Sequence, residues 1–282
     1  MIDYIKFMIL AIFSGIFAPL PLSSSAQFSI MNSVLNFSQN DRILGFYYSV
    51  FMIVFSMAVF IRLRKIYLNI LKSCFRKQSD TKNAAYRKRL KNILLSLLPT
   101  LVLFCPVGKN TLLCDYSDRL LVSGGLFIVG VASVLCGFYL VISIWYTGRM
   151  QGKVKRSPET KDVIRMSFYN LVAQMIPGLS KVSFSSTNLL IGDVDSRVII
   201  REIYMYLAPQ ILVFNSMKAV RALLSGIIID PVMIVLSIAV VFICSMLMIS
   251  LVAKVNIRKL LPFFSVYSVI SGIFALIITF II

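Results

Sequence analysis

Three hydroxyl side chains in a row, Ser23, Ser24 and Ser25, follow a proline at Pro21, and a second set, Pro177, Gly178, Ser180 and Lys181, lies 156 positions further on. Serine hydroxyls, backbone N–H groups at a helix start and a lysine ammonium are all groups that bind oxyanions. The first set interrupts apolar chain: Ile5–Pro19 precedes it and Phe28–Phe37 follows. Proline stops a helix because it fixes φ and lacks a donor. Broken backbone at membrane depth is tolerated only where protein or a polar cavity covers it. The pattern therefore predicts a re-entrant element that carries a serine-rich loop into the bilayer, with the following helix aiming its unpaired N–H groups at an anion. The plainer alternative is that the serines cap a helix and pack against neighbours.

The two sets correspond along a register. Pairing Pro21–Asn36 with Pro177–Gly192 matches Pro21 with Pro177, Ser24 with Ser180, Phe28 with Phe184, Ser29 with Ser185 and Asn32 with Asn188. A pair of interrupted apolar segments at corresponding places in two halves points to a membrane binding site. The halves divide at residues 1–156 and 157–282, as one integral membrane domain. Lys181 stands out, because an ammonium five residues into an apolar element is costly unless it serves a ligand. The alternative is that it snorkels to the interface.

The elements that must position these groups are helices in a bilayer. Of 282 residues, 59% are hydrophobic and 14% charged, against about 25% charged in soluble domains. The expectation is an all-α polytopic membrane protein with about six transmembrane helices and two re-entrant hairpins. The net charge of +18 comes from 29 basic and 11 acidic residues. It collects in loops between spans, which the positive-inside rule explains without nucleic acid. The segments Arg62–Lys91 and Arg149–Arg165 are thereby expected to be cytoplasmic, and Arg62–Lys72 to form an amphipathic helix on the membrane surface. Asn92–Pro106 is short for a span and contains Pro99, where a break is expected. Leu120–Tyr146, Ile227–Ala253 and Leu260–Ile282 are further spans, and Trp145 and Tyr146 suit an interface. No cleavable leader is expected, and the side of the N-terminus is left open. With no histidine and no CxxC among five cysteines, no metal site is expected; Cys105 and Cys114 could pair only if their loop faces outward.

Leu20–Ser25, Pro177–Ser180 and Tyr206–Pro209 together resemble the undecaprenyl pyrophosphate phosphatases of the BacA type. That family carries E-G-x-x-E-x-L-P-V-S-S-S/T-G-H, then P-G-x-S-R-S-G, then an L-A-x-P-like element. The resemblance spans nearly the whole chain. It implies an inverted repeat whose two re-entrant hairpins meet at a pocket, where a polyprenyl diphosphate loses its terminal phosphate and the cell-wall glycan carrier is regenerated. It also implies a bacterial plasma-membrane location. The departures fall on the chemistry. The family's two glutamates align with Ser14 and Ala18, its histidine with Gln27, its arginine with Lys181. A serine nucleophile needs an adjacent base, and the base and metal-ligand candidates are gone. What survives is a phosphate cradle of Ser23, Ser24, Ser25, Gly178, Ser180 and Lys181.

The expected function is thus an undecaprenyl-diphosphatase-like protein that binds a polyprenyl phosphate or diphosphate lipid and is a weak or inactive phosphatase, with envelope or export proteins as possible partners. One alternative is an active phosphatase, using Mg or Ca and relocated acids, for which Asp193 and Asp195 are the candidates and Ser24 the possible nucleophile. Another is a lipid-carrier or small-solute transporter on the same fold.

Overall fold

The computed structural model describes residues 2–36, 41–75, 81–106, 112–114, 125–149 and 155–281. Within them it has eleven helices: α1 (Ile2–Phe17), α2 (Ser24–Leu35), α3 (Asp41–Arg62), α4 (Arg64–Phe75), α5 (Thr81–Val102), α6 (Gly125–Arg149), α7 (Thr160–Met175), α8 (Lys181–Ile191), α9 (Ile199–Leu224), α10 (Pro231–Val252) and α11 (Ile257–Ile281). Among the described residues there is no strand beyond two isolated bridges. Four helices, α3, α6, α10 and α11, are long and apolar enough to cross a membrane by length and composition. The fold is all-α and largely membrane-embedded, with many apolar side chains left on its outside. Leu135, Ile142, Val235, Leu247, Val266 and Ile270 are all exposed, as lipid-facing helix surfaces require.

α3 lies inside the bundle and pairs with α9. Phe55 meets Tyr204 edge-on, with ring centroids 6.2 Å apart, and from α4 the Tyr67 hydroxyl also reaches α9, donating to the Met205 carbonyl at 2.9 Å. α6 and α11 approach so closely that a Cβ on Gly130 would stand 2.9 Å from the Gly272 oxygen, a role small residues play in membrane helix pairs. α1 packs on α10, where Ser245 donates to the Gly15 carbonyl at 3.2 Å.

In each interrupted segment the two helices pack against each other as a helical hairpin. In the first, Lys6 near the start of α1 donates to the Asn36 carbonyl just past α2 at 3.2 Å. In the second, Asn188 of α8 donates to the Asp162 carbonyl of α7 at 2.9 Å. The chain ahead of α7 also bridges the chain after α8, through Lys155 N–H to the Asp193 carbonyl and Asp195 N–H to the Lys155 carbonyl. In that surface loop Lys155 and Lys161 both pair with Glu159 and hold its carboxyl below the usual range.

One local expectation needs correction. Pro99 does not break its segment: α5 starts at Thr81 in the basic stretch and continues through Pro99 to Val102. The proline falls in the last turn, where its missing N–H costs one bond and the few residues beyond complete the helix. α4 forms where amphipathic spacing placed it and packs on α5. Arg87 donates to the Ser73 carbonyl at 3.0 Å, Ile70 and Ser73 are buried, and Leu71 and Cys74 are exposed. Cys105 and Cys114 are not joined by a disulfide; the first is exposed and the second buried. Most of the Gly108–Arg119 loop, and Leu120–Gly124 of the span drawn from Leu120, lie outside the described residues.

Candidate functional site

The hairpin tips meet. Ser25 of the first accepts from the Gly178 N–H of the second at 3.2 Å, and Ser183 of the second donates to the Pro21 carbonyl of the first at 2.5 Å. Between them is a small cavity of about 10 Å³, room for roughly one water molecule, lined by Ala18, Leu22, Ser24, Ser25, Met52, Leu179, Lys181, Val182, Leu207 and Ile211. The first residues of α2, Ser24 and Ser25, and of α8, Lys181 and Val182, therefore face the same space. Two helix N-termini each contribute unpaired N–H groups and partial positive charge there.

The serines divide their work. Ser23 is the N-cap of α2 and accepts from Ala26 N–H at 3.2 Å. Ser180 is the N-cap of α8 and accepts from Ser183 N–H at 3.1 Å. Both are buried and neither lines the cavity. Ser24 is half-buried and faces the cavity, sharing a hydrogen bond with the Tyr48 hydroxyl at 3.0 Å and lying 3.8 Å from the Met52 sulfur. Gly178 is structural. Its φ is +104°, and a Cβ there would come within 2.7 Å of both the Ala132 Cβ and the Val129 oxygen on α6.

Lys181 is the charged residue of the cavity lining, half-buried among leucine, isoleucine and valine side chains. Its ammonium is within electrostatic reach of Lys218 on α9. Lys218 is itself buried, with its amine 5.1 Å from the centre of the Phe214 ring. Sequence reading missed Lys218 and Tyr48. An ionisable residue in an apolar helix was the available signal for Lys218; for Tyr48, one aromatic in an apolar run, there was none.

The positions aligned with the missing acids and histidine lie around the same tips. Ala18 lines the cavity. Ser14, one turn earlier, is buried with no partner for its hydroxyl. Gln27 is buried, and its side-chain oxygen accepts from the Tyr267 hydroxyl at 3.2 Å. Asp193 and Asp195 are not brought to the cavity. They follow the far end of α8, an 11-residue helix that spans about 16 Å, and the Asp195 carboxylate accepts from Arg197 N–H at 3.0 Å. Among the described residues no three His, Cys, Asp or Glu side chains converge as metal ligands would.

Chemically, the cavity offers hydroxyl groups, two helix N-termini and an ammonium, with no carboxylate in its lining. This set attracts an oxyanion. It does not fit Mg or Ca, which take oxygen ligands with carboxylates prominent among them and which Lys181 would repel. Ser24 touches a phenol and a thioether, neither of which takes a proton at neutral pH.

The chain matches the family model described as Bacitracin resistance protein BacA over residues 7–274. No curated protein matches it.

Proposed function

The chain belongs to the BacA family, and from that premise we propose that it binds the headgroup of a polyprenyl phosphate or diphosphate carrier lipid between its two hairpins, with little or no phosphatase activity. One observation carries this reading: Ser24, Ser25 and Lys181 share a cavity at two helix N-termini, and no acid lines it. A phosphate bound there would be held by hydroxyls and Lys181. Cleaving it would take a base to activate a nucleophile or water, and the cavity supplies none. The exposed apolar faces of α6, α10 and α11 suit an isoprenoid tail in the bilayer.

The same proposal includes an inverted repeat in a bacterial plasma membrane. A 16-residue helix, a tip, a 12-residue helix and a 22-residue helix make up α1–α3; 16, 11 and 26 residues follow in α7–α9. Arg62 at the end of α3 and Arg197 at the start of α9 line one cleft, so these corresponding helices run in opposite directions. With the basic end cytoplasmic, the second hairpin enters from the cytoplasm and the first from the other side.

The test is phosphate release from undecaprenyl pyrophosphate by purified protein, with and without Mg or Ca, beside measured binding of the same lipid. Binding without turnover, weakened in Lys181→Ala, is the expected result. Divalent-dependent turnover that disappears in Ser24→Ala would overturn the weak-phosphatase reading.

A further inference from the structure

A second cleft lies where α3 ends, α9 begins and α10 ends. A volume of about 270 Å³ is lined by Arg62, Leu63, Arg197, Val198, Arg201, Tyr204, Ile249 and Ala253. Three of these are arginines: Arg62 from the last turn of α3, Arg197 from the turn ahead of α9 and Arg201 from the first turn of α9. The opposite wall, Ile249 and Ala253, is apolar. We propose that this cleft binds the phosphate headgroup of an anionic phospholipid from the surrounding bilayer, with Arg62, Arg197 and Arg201 around the phosphate and the acyl chains along α10.

Four features support the assignment. First, the positive charge is only partly answered within the protein. Arg201 pairs with Glu202 at 3.3 Å, but Glu202 is also held by Arg89 at 3.1 Å. Arg62 and Arg197 take part in none of the ion pairs among the described residues. The Asp195 carboxylate next to Arg197 is engaged with that residue's backbone N–H.

Second, α9 is 26 residues long, and its N-cap, Val198, makes no side-chain capping bond. Val198 and Arg201, at that helix start, line the cleft, which places the partial positive charge of a helix start beside it. A phosphate diester fits both the forked guanidinium donors and the N–H groups.

Third, the depth is right. α3 and α10 are two of the four helices long and apolar enough to span, and the cleft sits where both end, the level of lipid headgroups. The adjoining chain is basic at Arg64, Lys65, Lys254 and Arg258. Basic pockets between helices at that level bind anionic lipid headgroups.

Fourth, the apolar wall continues onto a lipid-facing surface. Leu251 and Val255, next to Ala253, are exposed. A soluble phosphate would leave that wall in water, whereas a lipid would cover it with acyl chain. This inference does not depend on what occupies the hairpin cavity.

The test uses full-length protein in mixed micelles, titrated with phosphatidylglycerol or with phosphatidylcholine, reading retained lipid and melting temperature. The expected result is saturable retention of phosphatidylglycerol only. Arg62→Gln with Arg197→Gln should weaken it about thirtyfold, taking the usual contribution per basic residue at a lipid surface. Arg62→Lys with Arg197→Lys should keep most of it, and Lys72→Gln with Lys259→Gln, which removes equal charge from exposed positions elsewhere, should leave it within about twofold. The double lysine variant also controls for folding, since it keeps the charge and the long side chains. Equal weakening in the Lys72/Lys259 variant, no weakening in the Arg62/Arg197 variant, or displacement of the lipid by millimolar inorganic phosphate would each overturn the proposal. Undecaprenyl phosphate displacing phosphatidylglycerol while inorganic phosphate does not would assign the cleft to the carrier lipid and overturn the phospholipid assignment.

Discussion

The Ser183 hydroxyl donates to the Pro21 carbonyl at 2.5 Å, joining two hairpin tips that lie 162 residues apart in the chain. A second bond runs the same way, from Gly178 N–H of the second tip to the Ser25 hydroxyl of the first at 3.2 Å. Each tip exposes backbone groups that its own hairpin leaves unpaired, and each is completed by a serine of the other. The cavity exists because the tips are locked together, so the lock should be measurable apart from ligand binding.

Ser183→Ala removes the donor and leaves a buried carbonyl unpaired. We expect a loss of about 1 kcal/mol, read as a lower melting temperature in detergent. Ser25→Ala should behave alike, and the double variant should lose less than the sum of the two, because each bond orients the partners of the other. Strict additivity would mean that the tips are held independently.

Gly178→Ala should be more damaging than either serine change. The residue sits at φ +104°, and the new methyl would meet the Ala132 Cβ and the Val129 oxygen at 2.7 Å. Strain at a left-handed position and overpacking each cost about 1–3 kcal/mol. The expected readout is a sharp fall in melting temperature, with carrier-lipid binding lost as well. A near-normal melting temperature would show that the second tip can shift away from α6.

How much of this was legible depended on whether the signal was local. Ser24 and Lys181 were readable because a proline, a helix start and an out-of-place polar residue sit within a few positions of each other. The division of labour among Ser23, Ser24 and Ser25 was not, since consecutive residues at a helix start point in different directions and only the folded tip decides which one meets the cavity. Lys218 was hidden because Asn215, Lys218 and Arg221 together look like the polar end of a span. It is α9 packing inside the bundle that buries Lys218 against Phe214. The clefts between helices, the arginine cleft included, come from residues such as Arg62 and Arg197 that no sequence window contains.

Lys181→Met separates ligand binding from structure by opposite signs. Lys181 approaches Lys218 with no carboxylate in the cavity lining, so its charge costs stability while the cavity holds no anion. A methionine of similar length removes the desolvation cost and the repulsion. The empty protein should melt at a higher temperature, and the affinity for polyprenyl diphosphate should fall about tenfold or more, the usual worth of a charge-assisted hydrogen bond. A lysine that only served packing would give the first effect without the second.

Ala18→Glu asks whether the missing chemistry is missing for want of a carboxylate. Ala18 lines the cavity together with Lys181, so a glutamate there enters the same space and pairs with the ammonium. Without a divalent cation, the new negative charge should oppose the phosphate and weaken diphosphate binding about tenfold, as like charges at close range do. With Mg or Ca present, the carboxylate can ligate the cation, and binding should recover. Adding Ser14→Glu and Gln27→His supplies the second acid and the imidazole of the resembling motif, but Ser14 is buried and its hydroxyl unpartnered, so the larger side chain must displace neighbours. The expected outcome for the triple variant is divalent-dependent phosphate release from undecaprenyl pyrophosphate at a low rate, measured against a background in the starting protein. Recovery of cation-dependent binding without release would place the remaining deficit at Lys181, whose single ammonium cannot reproduce the two-pronged grip of a guanidinium on a phosphoryl group, and Lys181→Arg in the same background should then raise the rate.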